Sequence, residues 1–182
     1  MVKPSDLNAS PLAGMSALVV DPDGDARASY VATLVASGLE TTVTDDFSAA
    51  RSHLIAHPPA VLVAEIRLER HNGLHLALLG RMARPRMAVV VTSRYFDAFV
   101  QRQASAIGAE FILKPLTTTQ LLAAVYRSLL IEPNADGTIG ESLSELQSDH
   151  YHALSSRPDP RVRMRRRNIA TFLWLESLKR GV

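Results

Sequence analysis

From residue 16 onward, short apolar runs alternate with longer stretches of helical periodicity. Ala17-Leu18-Val19-Val20 reads as a buried strand, stopped by Asp21-Pro22-Asp23-Gly24-Asp25. A helix follows to Ser37, with Gly38 where a helix C-terminus favours glycine. Thr41-Thr42-Val43 is β-branched and strand-like. Residues 46–57 place Phe47, Ala50, Leu54 and Ile55 at helical spacing, and Pro58-Pro59 ends them. Val61-Leu62-Val63-Ala64 is a third strand, and it finishes on an acid, Glu65. Beyond it the pattern predicts a helix near 73–83, a strand over Met87-Ala88-Val89-Val90-Val91 and a helix near 96–106 closed by Gly108. Glu110-Phe111-Ile112-Leu113 then reads as a short strand and 117–130 as a final helix.

Strands and helices alternate throughout, and the first, third and fourth strands are apolar without interruption. That is the signature of a parallel sheet buried on both faces, so the predicted fold is a doubly wound α/β sandwich. Its strand ends carry the polar chemistry. Asp21 follows the first strand, with Asp23 and Asp25 close behind; Glu65 ends the third; Thr92 and Ser93 follow the fourth; Lys114-Pro115 follows the fifth. In a sheet of order 2-1-3-4-5 the crevice lies between strands one and three, where Asp21 and Glu65 face each other. Taken singly, the acids could cap helices and Lys114 could be solvated; their joint placement is what points to a site.

Composition narrows the class. The 182 residues are 47% hydrophobic and 21% charged, as in a folded protein, and a net charge of +2 says little about partners. Cysteine is absent, which excludes disulfides, thiolate metal sites and a thiol nucleophile. The longest apolar runs are strand-sized, well short of the roughly 20 residues of a membrane helix. With Lys3 alone near the start and no long apolar stretch there, no secretory signal is visible, and the expectation is a soluble cytoplasmic protein with no membrane partner.

These strand ends resemble the receiver domain of bacterial two-component response regulators. "ALVVDPDGDAR" is similar to that family's first strand and acidic turn, "VLVAEIRLERHNGLHL" to its phosphoacceptor strand and loop, "VVVTS" to the strand carrying its switch hydroxyl, and "GAEFILKP" to its last strand with Lys-Pro. The resemblance spans residues 16–130 and implies a flavodoxin-like fold with sheet order 2-1-3-4-5. It also implies phosphate accepted on an aspartate and magnesium held by acids of the first turn. The departures are as informative. The phosphoacceptor position falls on Glu65, and the paired acids fall on Asp21 and Pro22, so one metal-ligand position has no carboxylate. Thr92 and Lys114 remain, Phe111 falls on the aromatic switch position, and Arg67 lies two residues beyond the acceptor.

Magnesium needs near-octahedral oxygen ligation, so with proline at one ligand position its binding is expected to be weak even if Asp23 partly substitutes. Glu65, longer by a methylene than aspartate, is able to reach Lys114 and Thr92 without any phosphate. Two readings follow: a fixed anion replacing a transient one, or a site retained for folding in which Glu65 merely pairs with Lys114. Ordinary phosphorylation of a receiver with weakened metal binding is a third.

The flanks differ from the core. Residues 1–15 are a polar leader, 131–140 have linker chemistry, and 141–182 read as a helical extension. Asp159-Pro160 opens a helix that begins with Arg161, Arg163, Arg165, Arg166 and Arg167 and continues as "IATFLWLESL". Phe172 points one way from that helix, Trp174 and Leu178 another, which predicts burial on more than one side and a homodimer seam. The arginines could instead grip nucleic-acid phosphates, in a small transcription regulator. No helix-turn-helix is visible in the 52 residues after Leu130, however, and 7 acids there nearly balance 8 bases, so protein–protein interaction in a signalling pathway is favoured.

Overall fold

The computed structural model describes residues 10–130. Residues 1–9 of the expected 1–15 leader and everything after Leu130 lie outside the described residues. So do the expected linker, the Arg161–Arg167 cluster and the Phe172, Trp174 and Leu178 seam. Within the rest of that leader, Leu12 is fully buried in the core.

Alternating burial builds the centre of the molecule. β1 (Ser16–Val20), β3 (Val61–Glu65) and β6 (Ala88–Ser93) are buried almost throughout, whereas β2 (Glu40–Thr44) and β7 (Glu110–Leu113) are partly open. The two open strands are therefore edges, and the parallel sheet runs β2-β1-β3-β6-β7. Two short strands intervene in chain order, β4 (Arg67–Leu68) and β5 (His71–Asn72), so this is the expected 2-1-3-4-5 arrangement.

Successive side chains of a strand point to opposite faces. Leu18, Val20, Leu62, Ala64, Val89 and Val91 therefore enter one core, against α2 (Phe47–Ala56), α3 (Gly73–Ala83) and α4 (Ala98–Ala106). Ala17, Val19, Val61, Val63, Ala88 and Val90 enter the other, against α1 (Gly24–Ala36) and α5 (Thr118–Leu130). Among the described residues no helix is long and apolar enough to cross a membrane.

Several boundaries differ from the sequence reading, each for a local reason. β6 does not stop at Val91: Thr92 pairs with Glu65 on one side and Ile112 on the other, and Ser93 pairs with Leu113. The hydroxyl residues expected after the strand are part of it. α4 begins at Ala98, not near 96, because Asp97 caps it by accepting the amides of Phe99 and Val100. α5 starts at Thr118 behind a reciprocal cap in which Gln120 Oε1 accepts the Thr117 amide and Thr117 Oγ1 accepts that of Gln120. Between β3 and α3 the sequence suggested only a loop. Instead β4 and β5 form a small antiparallel hairpin, with Arg67 opposite Asn72 and Leu68 opposite His71. Ile66 and Leu68 are buried in the core that β1, β3 and β6 share with α2 and α3, which explains the apolar residues that follow Glu65. The hairpin returns so closely that a Cβ on Gly73 would lie 2.1 Å from the Glu65 carbonyl oxygen, so only glycine fits there.

Candidate functional site

Parallel strands end together, so β1, β3, β6 and β7 deliver Asp21, Glu65, Thr92 and Lys114 to one edge. Asp21 is 1% exposed and Glu65 5% exposed, so neither carboxylate merely marks a surfacing chain. Lys114 enters between them: its Nζ is 2.6 Å from Asp21 Oδ2 and 2.5 Å from Glu65 Oε2. The other oxygens are held by the backbone, Asp21 Oδ1 accepting the Asp23 amide at 3.0 Å and Glu65 Oε1 the Arg67 amide at 3.1 Å. Both carboxylates are thus engaged through both oxygens. Buried ions require this, because an uncompensated charge in a low-dielectric interior costs several kcal/mol.

Thr92 is fully buried behind them. Its hydroxyl has no hydrogen-bond partner among the described residues, so the expected reach from Glu65 to Thr92 is not made: both Glu65 oxygens are taken, by Lys114 and the Arg67 amide. Tyr30 is buried on the inner face of α1. Burial pushes the Tyr30 phenol well above the ordinary tyrosine range, and the charges of Asp21, Glu65 and Asp23 push it further. A proton therefore stays on the phenol beneath the acids.

Asp23 does not join the Lys114 cluster. Its Oδ1 accepts the amides of Asp25 and Ala26 as the N-cap of α1, and its Oδ2 pairs with Arg94. The Ala26 amide and then the Arg94 guanidinium hold its carboxyl below the usual carboxylate value, and the same pair raises Arg94. Arg67 lies over the Tyr95 ring, 4.9 Å from its centroid, a cation–π contact joining β4 to the loop after β6. Asp21, Pro22, Asp23, Glu65, Arg67, Arg94, Tyr95 and Lys114 line one cavity of about 290 Å³.

The family resemblance implies magnesium here, and the donor set does not fit it. Pro22 offers no side-chain oxygen, Asp23 is spent on a cap and an arginine, and Asp21 and Glu65 are bridged by an ammonium. An octahedral cation needs one or two free carboxylates. Among the described residues no group of three or more histidine, aspartate or glutamate side chains is arranged to hold a metal.

Phe111 stands apart from this cavity. It is partly buried and lines a separate groove of about 490 Å³ with Phe96, Leu113, Gln120 and Arg127. The sequence reading missed Arg94, Tyr95 and Tyr30. Arg94 and Tyr95 directly follow the Thr92-Ser93 strand end, and Tyr30 sits at helical spacing with the buried Thr33 and Leu34, which was the available signal.

Comparison with known proteins agrees with this fold. Three solved structures illustrate the likeness. A chemotaxis response regulator, CheY4, of Vibrio cholerae is 19% identical, with a TM-score of 0.57 over 64% of this chain and 99% of its own. A response regulator receiver protein from Sinorhizobium medicae is 23% identical, with a TM-score of 0.59 over 64% of this chain and 94% of its own. A CheY-like receiver domain protein from Methanospirillum hungatei is 20% identical, with a TM-score of 0.59 over 73% of this chain and 99% of its own. At these identities the likeness establishes the fold. No curated protein sequence matches the chain. The response regulator receiver domain profile matches residues 17–126, more than half of the sequence, and the chain therefore belongs to the response regulator receiver domain family.

Proposed function

We propose that this receiver signals without taking up a phosphoryl group, with Glu65 serving as a permanent anion where the family resemblance implies a phosphorylated aspartate. The observation that carries this reading is the Lys114 ammonium, held between Glu65 Oε2 at 2.5 Å and Asp21 Oδ2 at 2.6 Å. A carboxylate nucleophile needs a free oxygen directed at phosphorus. Glu65 has one oxygen on Lys114 and the other on the Arg67 amide. An acyl phosphate there would have to displace an ion pair shielded from water.

The protein is then a signalling module, not a catalyst, and its output is contact with another protein. Tyr95, Phe96, Phe99, Leu113 and Tyr126 are exposed large apolar side chains, in keeping with a surface that docks a partner. Residues 141–182 supply a second contact segment, through which the chain forms a homodimer in the cytoplasm.

Incubation of the full chain with acetyl phosphate and magnesium, followed by intact mass measurement, tests the reading. The mass is expected to stay unchanged. A gain of one phosphoryl group that disappears in Glu65→Gln would overturn it.

A further inference from the structure

The acid pocket carries its own cations. Three carboxylates, Asp21, Asp23 and Glu65, face three bases, Arg67, Arg94 and Lys114, around one cavity. Lys114 serves the two buried acids. Asp23 is the pocket side chain able to replace the carboxylate absent at Pro22, yet Arg94 already holds its outer oxygen, while the first turn of α1 holds the other.

We infer that Arg94 is a resident counter-ion, which takes over the charge-balancing role of a divalent cation at this edge and, with Pro22, keeps such cations out. The inference rests on the receiver reading of the site but not on whether Glu65 accepts phosphate.

Its physical basis is the difference between charge and coordination. A guanidinium supplies positive charge and a directed hydrogen bond to a carboxylate without needing six oxygen ligands. It is also present at every metal concentration. The backbone places it: Ser93 is fixed in β6 by its pairing with Leu113, and the Tyr95 amide donates to Ser93 Oγ at 3.2 Å. That turn sends Arg94 toward Asp23 while Tyr95 receives Arg67. Two arginines, one from β4 and one from the loop after β6, thereby close the rim.

Manganese(II) is the probe, titrated into the full chain and followed by electron paramagnetic resonance and by broadening of the Asp23 and Arg67 amide signals. Arg94→Ala and Pro22→Asp/Arg94→Ala are compared with the wild type and with Arg94→Lys, which keeps the charge. Arg94 is solvent-exposed, so its removal leaves the cores intact. The double variant gains one carboxylate and loses one cation, and is expected to bind at least about tenfold more tightly than the wild type. Arg94→Lys is expected to stay near the wild type. Equal affinity in wild type and double variant, or no gain in a double variant whose amide spectrum is folded, overturns the inference. Should Pro22→Asp fail to fold, Arg94→Ala alone decides: a gain supports the inference and no gain overturns it. A wild-type chain that binds manganese tightly yet takes no phosphoryl group would sink this inference and leave the proposed function standing. Phosphorylation of Glu65 in a chain that ignores manganese would do the reverse.

Discussion

Lys114 holds the site together at the scale of single residues. It is 8% exposed at its side chain and serves two acids that are nearly inaccessible. Lys114→Met would leave two buried carboxylates facing each other, and removing one partner of a buried ion pair typically costs roughly 3–5 kcal/mol. Urea unfolding at neutral pH should show a loss of that order; a loss below about 1 kcal/mol would mean the triad contributes little. Tyr30 gives a pH signature. Its phenol is raised in the folded chain above the ordinary value of 10.0, so the folded state keeps a proton that the unfolded chain releases. Its contribution is complete below that ordinary value and is lost as the pH rises beyond it. Tyr30→Phe should therefore flatten the alkaline loss of stability, and the wild-type phenolate absorbance should show a tyrosine that titrates only on unfolding. Glu65 and Lys114 were legible in the sequence because each ends an apolar run at a strand terminus. Arg94 and Tyr30 were not: an arginine in a loop and a tyrosine in a helix have many unremarkable uses, and only the three-dimensional edge gives them a common partner.

The elements show where periodicity suffices and where it does not. Strands buried on both faces announce themselves as uninterrupted apolar runs, so β1, β3 and β6 could be located from composition alone. The β4–β5 hairpin could not, because two-residue strands are too short to have a period. Nor could the end of β6, where Thr92 and Ser93 look like a loop but have ladder partners. One inter-element contact also escaped the sequence. Val89 lies one residue before the first pair between β6 and β7, and Ser128 of α5 takes both its backbone groups, accepting the amide at 2.8 Å and donating to the carbonyl at 3.2 Å. Ser128 is 1% exposed, so water cannot replace it. Ser128→Ala should cost about 1–3 kcal/mol, the usual penalty for stranding buried polar backbone, read as a shift of the urea midpoint with an unchanged slope. A midpoint that does not move would show that α5 adjusts to let water in.

At the scale of the whole molecule, a receiver scaffold presents a strand-edge pocket in which every carboxylate already has a cation or backbone amides. The fold was legible because alternation and strand-end chemistry agree with one another. The pocket's self-neutralisation was legible only in part: Glu65, Pro22 and Lys114 stand out at their strand ends in the sequence, while the pairing of Arg94 with Asp23 does not. The account predicts a site indifferent to magnesium and to phosphoryl mimics. Amide and side-chain magnetic resonance of the full chain, recorded with and without magnesium and beryllium fluoride, tests this most directly. The signals of Glu65, Thr92, Phe111 and Lys114 should stay where they are, with Lys114 still bonded to Glu65 and Asp21. Saturable shifts at those four residues, absent in Glu65→Gln, would contradict it.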